Sequence, residues 1–337
     1  MTKHTVKELK QIFDSFSKLR VLIIGDVMID NYVWGKVSRI SPEAPVPVVS
    51  VMRKEQRLGG AANVALNVQA LGAIPILCSV IGPDKEGKDF LELLSEQKLS
   101  PKGILKSRDR ITTIKTRILG NNHQLLRVDE EIDSDITEHE TEIFLKNISY
   151  LIDTQKIDVI IFEDYDKGLI TETLIRGVVR QAKKLGVPVV VDPKKKHFMH
   201  YQGATLFKPN LKELKEGLKT EFDHSSEKQL AKAVDALKTK LKIDLALITL
   251  SEHGIYIHGR HVKKRLPAHY RNISDVSGAG DTVVSVAALC LAAGLKPEMI
   301  AEISNIAGGL VCESVGVVPI DKGQLYEEVI ALLGKKE

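Results

Sequence analysis

Residues 158–193 read DVIIFEDYDKGLITETLIRGVVRQAKKLGVPVVVDP. A β-branched run (DVIIFED, Asp158–Asp164) gives way to helical spacing (ITETLIRGVVRQAKKLG, Ile170–Gly186), and a second β-branched run (VPVVVDP, Val187–Pro193) closes the unit. Strand, helix and strand in that order predict a parallel pair joined by a crossover helix. The alternation continues in both directions. RVLIIGD (Arg20–Asp26), IPILCSVIG (Ile74–Gly82), ATLFKPN (Ala204–Asn210) and DLALITLS (Asp244–Ser251) read as strands, and EKQLAKAVDALKTKL (Glu227–Leu241) as a helix. The fold class is therefore α/β, a mostly parallel central sheet with helices on both faces. Ligands of such sheets sit beyond the carboxyl ends of the strands. Polar clusters fall there: Asp26 and Asp30, Glu163 to Lys167, Asp192 to Lys196, and Asn210 to Glu213.

Two segments break the pattern. YVWGKVSRISPEAPVPVVSVMRKEQRLGG (Tyr32–Gly60) is extended and punctuated by proline, and ITTIKTRILGNNHQLLRVDEE (Ile111–Glu131) reads as a hairpin turning at Gly120, Asn121 and Asn122. They are either edge strands of the main sheet or a small separate sheet; the basic residues among their apolar ones favour a lid over a site. The expectation is one domain over 1–337 with lid segments at about 32–58 and 111–131. A net charge of +4, with lysines and glutamates interspersed, argues for a solvated surface rather than a nucleic-acid track. The amino end reads as a short amphipathic helix, no run is long and apolar enough to span a bilayer, and Cys78, Cys290 and Cys312 show no pairing pattern. A cytoplasmic protein without nucleic-acid or membrane partners is expected.

The chemistry concentrates in DVSGAGDTVVSVAALCLAAG (275–294). Gly278, Ala279 and Gly280 leave backbone N–H groups free to converge on an anion where a helix begins, and the helix dipole favours negative charge there. Asp281 either takes a proton from an attacking hydroxyl beside that cradle or merely caps the helix. Asp275 supports the first reading as a second carboxylate nearby. GGAANVALNVQALG (Gly59–Gly72) puts small residues and Asn63 at another helix start, suited to a polar ligand or to an ordinary turn. Asn210 and Glu213, in KPNLKELKE, share a helix face and suit either magnesium-bound phosphates or a capping box. GPDKEGKD (Gly82–Asp89) has phosphate-loop spacing, but Asp89 stands where a hydroxyl is required; Asp84 as a helix cap explains it better. His197 with His200, and His258 with His261, lack further ligands and read as surface residues.

Taken together, DVSGAGDTVVS and GGAANVA resemble the two signatures of the ribokinase-like (PfkB) carbohydrate kinases, in order and separation, over nearly the whole chain. The resemblance implies a three-layer sandwich with a small β-lid, and transfer of the ATP γ-phosphoryl group to a sugar hydroxyl with Mg2+, with room for a monovalent cation. It implies Asp281 as catalytic base, with Gly278, Ala279 and Gly280 as anion hole. Asn210, Leu211, Lys212 and Glu213 match the ATP and metal segment, Glu213 reaching the metal indirectly. Thr249, Ser251, Glu252, Gly254 and Asn305 match positions lining the nucleotide, and Asp30, Gly59, Gly60 and Asn63 those contacting the sugar. Leu250, Lys208, Lys195 and Glu163 depart from the pattern.

A narrower likeness, through GDVMIDNYVWGKVSRISPEAPVPVV, LLRVDEE, EDYDKG and VDPKKKHFMHYQGATLFKPN, is to the kinases of D-glycero-β-D-manno-heptose 7-phosphate on the route to ADP-heptose and lipopolysaccharide cores. Many of those are fused to a nucleotidyltransferase; the chain ends at Glu337 without an HxGH-type segment and resembles the stand-alone form. An acceptor that already carries phosphate calls for a basic far end of the site, and Arg39, Arg117, Arg127, Lys167 and Lys194 lie in lid or strand-end segments. A homodimer through the lid is also implied. The alternatives are a kinase of the same fold for fructose 1-phosphate, ribose or a nucleoside, or a catalytically silent sugar-binding regulator.

Overall fold

The computed structural model describes residues 3–121 and 123–335. Thr5 and Glu8 form a capping box on the entering helix, α1 (Val6–Ser15), and the chain runs into β1 (Arg20–Gly25). Alternate residues of β1 serve opposite faces: Val21 and Ile23 join one hydrophobic cluster, Leu22 and Ile24 another. A strand buried on both sides requires that period of two. Two long strands follow, β2 (Val27–Ile40) and β3 (Pro47–Gly60), then α2 (Ala61–Ala70), β4 (Ile74–Ile81), α3 (Lys85–Glu96) and β5 (Gly103–Lys106). The β6 (Ile114–Gly120) and β7 (His123–Glu130) hairpin precedes α4 (Glu138–Gln155). The unit read first from the sequence becomes β8 (Val159–Glu163), α5 (Glu172–Leu185) and β9 (Val189–Asp192), with Thr171 as N-cap and Gly186 in the left-handed conformation at the helix end. Then come β10 (Leu206–Phe207), α6 (Leu211–Leu218), α7 (Glu227–Leu241), β11 (Leu245–Thr249), β12 (Ile255–His258), β13 (Lys263–Leu266), α8 (Ala279–Ala292), α9 (Pro297–Val311) and α10 (Lys322–Leu333).

Nine strands form one sheet in the order β13-β12-β11-β10-β9-β8-β1-β4-β5. Neighbours from β11 to β5 run parallel; only the β11–β12 and β12–β13 pairs are antiparallel. β8 and β9 align Glu163 with Asp192, so two carboxylates leave the sheet side by side at its carboxyl edge. Ala204–Asn210 contributes only Leu206 and Phe207 to the ladder; Pro209, lacking an N–H, cannot extend it.

The irregular segments build a separate four-stranded sheet, β3-β2-β6-β7, and not edge strands of the main one. It begins earlier than expected, at Val27 rather than Tyr32, because Asp26 already turns the chain out of the main sheet. The Asp26 carboxylate accepts the backbone N–H groups of Tyr165, Lys167 and Leu169, which pins the loop after β8 at that exit. The hairpin closes on the Gly120–His123 pair; Asn122, part of the expected turn, lies outside the described residues.

Helix α8 is buried at every residue from Asp281 to Cys290. A helix apolar on all sides belongs inside, and α8 packs between α2 and α9 over β8 and β9. Its amino end alone reaches the carboxyl edge of the sheet, which is how a core helix comes to present Asp281 there.

Candidate active site

The cap of α8 is Gly278, at φ +78°, a conformation that costs any residue with a Cβ. A Cβ there would also stand 3.1 Å from Asn63 Nδ2. Asp281 sits three residues further on, inside the helix, and does not cap it. Its Oδ2 accepts from Asn63 Nδ2 at 2.7 Å and its Oδ1 from the Tyr165 hydroxyl at 2.8 Å. The carboxylate is 4% exposed, whereas Gly278, Ala279 and Gly280 remain partly open. Burial pushes the Asp281 carboxyl up to about 6 despite the two donors. Asp275 is not the second carboxylate of the pair that the sequence suggested. Its oxygens accept from the Ser277 N–H and hydroxyl and from the Gly316 N–H, and so organise the approach to the cradle.

A second group of charges faces the same helix end. Lys208 Nζ lies 2.7 Å from Asp192 Oδ2, both nearly fully buried. A Cβ built on Gly280 would meet Asp192 Oδ2 at 3.6 Å and Lys208 Nζ at 3.7 Å. An atom in that gap would touch both members of the Asp192–Lys208 ion pair on one side and the amino end of α8 on the other. Glu163 is buried beside them, and its Oε2 has no partner among the described residues. Burial, then Asp192 and Asp281, push its carboxyl well up. Lys194 Nζ reaches Glu213 Oε1 at 2.8 Å and lies 5.3 Å from the Tyr165 ring centroid. Burial alone would lower the Lys194 ammonium, but Asp192 and Glu213 more than reverse it and Lys194 stays charged.

At the amino end of α6, Asn210 and Glu213 form a capping box: Glu213 N–H donates to Asn210 Oδ1 and Asn210 N–H to Glu213 Oε2. The other Glu213 oxygen is the one that meets Lys194. Leu211 follows the cap, and Lys212 points to solvent. A bridge between Asn210 and Thr249 sets the end of β11 beside this cap. Ser251 and Glu252 are exposed further out, Gly254 is buried at φ +85°, and the Asn305 amide donates to the Pro267 carbonyl. Among the described residues no three His, Cys, Asp or Glu side chains converge to cage a metal. A divalent metal carried on substrate phosphates needs no such cage; both Glu213 oxygens are already engaged, Oε2 by the Asn210 N–H and Oε1 by Lys194.

At the root of the small sheet, Asp30 is buried and paired with Arg117, and a Cβ on Gly59 would collide with Asp30 Oδ2. Gly60 leads directly into α2, which carries Asn63. Cross-strand register sets Asp30, Tyr32, Lys115, Arg117, Arg127 and Asp129 on one face of the lid. Lys167, from the loop after β8, binds Glu131 at 2.7 Å, and Lys115 shares that carboxylate. Arg39 is not brought into this group. It is exposed nine positions beyond Asp30 on β2, roughly 30 Å away at about 3.3 Å per residue. Tyr165, Asp192 and Lys208 were missed as site residues, although the first two lie in clusters flagged at the strand ends. His197 and His258 are buried rather than on the surface; His258 Nε2 meets Asp235 at 3.1 Å.

Comparison with known proteins agrees with this geometry. The family profile described as pfkB family carbohydrate kinase matches residues 18–322. The bifunctional protein HldE of Geotalea uraniireducens is 37% identical over 326 residues, which cover 96% of this chain and 65% of that protein. The chain thus spans about two thirds of the length of such curated relatives. Among solved structures, phosphofructokinase-2 of Escherichia coli in complex with potassium superposes with a TM-score of 0.78 at 18% identity, covering 94% of this chain and 99% of that one. Arabidopsis thaliana ribokinase complexed with ribose and ATP gives 0.70 at 17%, covering 92% and 99%. These two likenesses establish the ribokinase-like fold.

Proposed function

The chain belongs to the pfkB family of carbohydrate kinases, and within that family we propose that it phosphorylates the anomeric hydroxyl of D-glycero-β-D-manno-heptose 7-phosphate. The observation that carries the kinase chemistry is the buried Asp281 carboxylate beside an open helix terminus and the Lys208 ammonium. ATP with a divalent metal, Mg2+ in this reading, supplies the phosphoryl group and neutralises part of its charge. Asp281 takes the hydroxyl proton while the sugar oxygen bonds to the γ-phosphorus. The bond from that phosphorus to the bridging oxygen breaks, and ADP departs. The N–H groups of Gly278 and Gly280 at the amino end of α8, and Lys208, stabilise charge on the moving group throughout, whereas the Ala279 N–H is engaged by the Val276 carbonyl. An anomeric hydroxyl is more acidic than other sugar hydroxyls, so a carboxylate near 6 suffices as base.

The heptose assignment rests on the likeness of the lid and strand-end segments to heptose-phosphate kinases and on the similarity to HldE, a protein named as bifunctional. Charge supports a phosphorylated acceptor. Lys115, Arg127 and Lys167 face only Asp129 and Glu131, three cations against two carboxylates. The reaction would feed ADP-heptose and lipopolysaccharide-core synthesis in the cytoplasm. A homodimer through the lid fits the same reading. Val33, Ile118 and Leu126 are cross-strand neighbours on the face opposite Arg117, and Leu126 is exposed.

A coupled ADP-release assay tests the substrate. D-glycero-β-D-manno-heptose 7-phosphate should exceed its α-anomer, fructose 1-phosphate, ribose and nucleosides in kcat/KM by at least about tenfold, a step of some 1.4 kcal/mol in transition-state binding. A preference for any of the others reassigns the substrate, and sugar binding without ADP release makes the protein a silent regulator.

A further inference from the structure

Two donors hold Asp281: Asn63, which the sequence offers as a sugar contact rather than as a partner of Asp281, and Tyr165. Tyr165 comes from the loop between β8 and α5, and nothing about its ring requires it to be there. The ring is partly exposed, and Lys194 rather than an apolar neighbour lies over it. What fixes it is backbone. Asp26 accepts the N–H groups of Tyr165, Lys167 and Leu169. Arg110 donates to the Lys167 carbonyl from the far side, and to those of Ile132 and Ser134. Tyr201 and the Asp166 N–H hold Asp164 at the loop's start. A segment pinned at so many points presents one hydroxyl to one carboxylate oxygen at 2.8 Å.

We propose that Tyr165 is a positioning residue for Asp281: its hydroxyl fixes the plane of the carboxylate and favours its ionised form, leaving a lone pair free for the sugar hydroxyl. The inference rests on Asp281 being the base. A carboxylate accepts at about four lone-pair sites; Asn63 and Tyr165 fill two, one on each oxygen, so the carboxylate can neither rotate nor turn back to its own helix. The remaining sites include those toward the cradle. Glu163 from β8, Asp192 from β9 and Lys208 beyond β10 also act on Asp281 or lie near it. Among the described residues the side-chain donors to its carboxylate are Asn63 and Tyr165, which set its orientation. Burial pushes the tyrosine hydroxyl well up, and the neighbouring carboxylates add to this, so it remains a donor across the working pH range.

The test is Tyr165→Phe, which deletes one oxygen and keeps the ring. Loss of a donor to the ionised form raises the base, so the acid limb of the kcat profile should move up by about one pH unit. kcat should fall about tenfold below the limb and approach wild type above it, with KM for ATP unchanged. The phosphate of the acceptor titrates identically in both enzymes, so the difference between profiles belongs to the protein. A 13C-carboxyl NMR titration of aspartate-labelled protein, with the Asp281 signal identified by its absence from Asp281→Asn, should show the same upward shift without any turnover. An unmoved limb and unmoved resonance overturn the proposal, as does a pH-independent fall in kcat accompanied by a lower melting temperature, which marks plain packing. Asp281→Asn separates the two levels. If it retains turnover, the base assignment fails; if it is dead while Tyr165→Phe titrates like wild type, only the role of Tyr165 fails.

Discussion

The charges around Asp281 and the exposed charges of the lid, such as Arg127 and Arg53, are alike in kind and opposite in setting. Asp192, Lys208, Glu163 and Asp281 are each no more than 5% exposed, in a cleft floored by the main sheet and a core helix. Arg127 and Arg53, on the lid, keep 51% and 61% of their side-chain surface in water. A charge in the dry cluster interacts strongly and is costly to leave unpaired, whereas water and salt damp one on the lid. In the proposed function the first region does the chemistry, and exposed lid charges such as Arg127 attract and orient. If the contrast holds, substitutions in the two regions should differ by orders of magnitude.

The largest effect belongs to Asp281→Asn. Turnover should drop about 10³-fold, within the range for loss of a general base, while the ATP dissociation constant, measured by calorimetry, stays within about twofold. The same variant should gain stability at neutral pH. The folded-state carboxyl at about 6 lies above the ordinary 3.8, so ionisation opposes folding. The stability of the protonated form is fully present below about pH 4 and is lost as pH rises through about 6. Thermal melts should therefore show Asp281→Asn ahead of wild type at pH 7 by up to about 3 kcal/mol, the equivalent of roughly two pH units, with the gap closing in acid. A gap that does not change with pH would mean that burial does not strain this carboxylate.

Lys208→Met comes next. Removing one partner of a buried pair leaves Asp192 uncompensated, at a cost of about 3 kcal/mol in urea unfolding. Adding Asp192→Leu should recover much of it, although turnover stays low because the ammonium beside the cradle is gone. Equal losses in the single and double variants would make the cluster no different from the lid.

How far this division could be read in advance follows from what each residue needs. The sheet order rests on β-branched runs such as Val159–Phe162, which are long enough to be unambiguous. Gly278, Asp281 and Asn63 are legible as helix-start residues, but the spacing alone leaves Asp281 between base and cap and does not show that Asn63 bonds to it. Tyr165, Lys208 and Asp192 were not, because their meaning depends on three strand ends meeting one helix end. That distance is set by register, Glu163 against Asp192, and no local pattern encodes it. Asp275 was misread for a related reason: its partner Gly316 is far away in sequence, so its work in the loop was invisible. Arg39 was chosen for belonging to the lid, without account of how long β2 is.

Gly278→Ala probes the boundary between the regions. The left-handed φ of +78° should cost about 1–2 kcal/mol. The added methyl, 3.1 Å from Asn63 Nδ2, must also push aside one of the two donors on Asp281. Turnover should fall more than stability does, and a urea melt beside a kcat measurement reads both. Loss of stability with full turnover would show that the cradle tolerates a shifted Asn63.

The smallest effect should come from Arg127→Ala. Its partner Asp129 is also held by Lys115, so removing the guanidinium orphans nothing. An exposed pair of this kind is worth at most about 0.5 kcal/mol, and urea unfolding should hardly move. The site nevertheless loses one of three cations facing two carboxylates. KM for the sugar phosphate should rise about threefold at low salt, with kcat and KM for ATP unchanged. At about 0.5 M salt, where screening shortens to a few ångströms, the difference from wild type should vanish. A salt-independent rise would mean that Arg127 touches the phosphate directly, and a fall in kcat that the lid takes part in the chemistry rather than only steering the substrate.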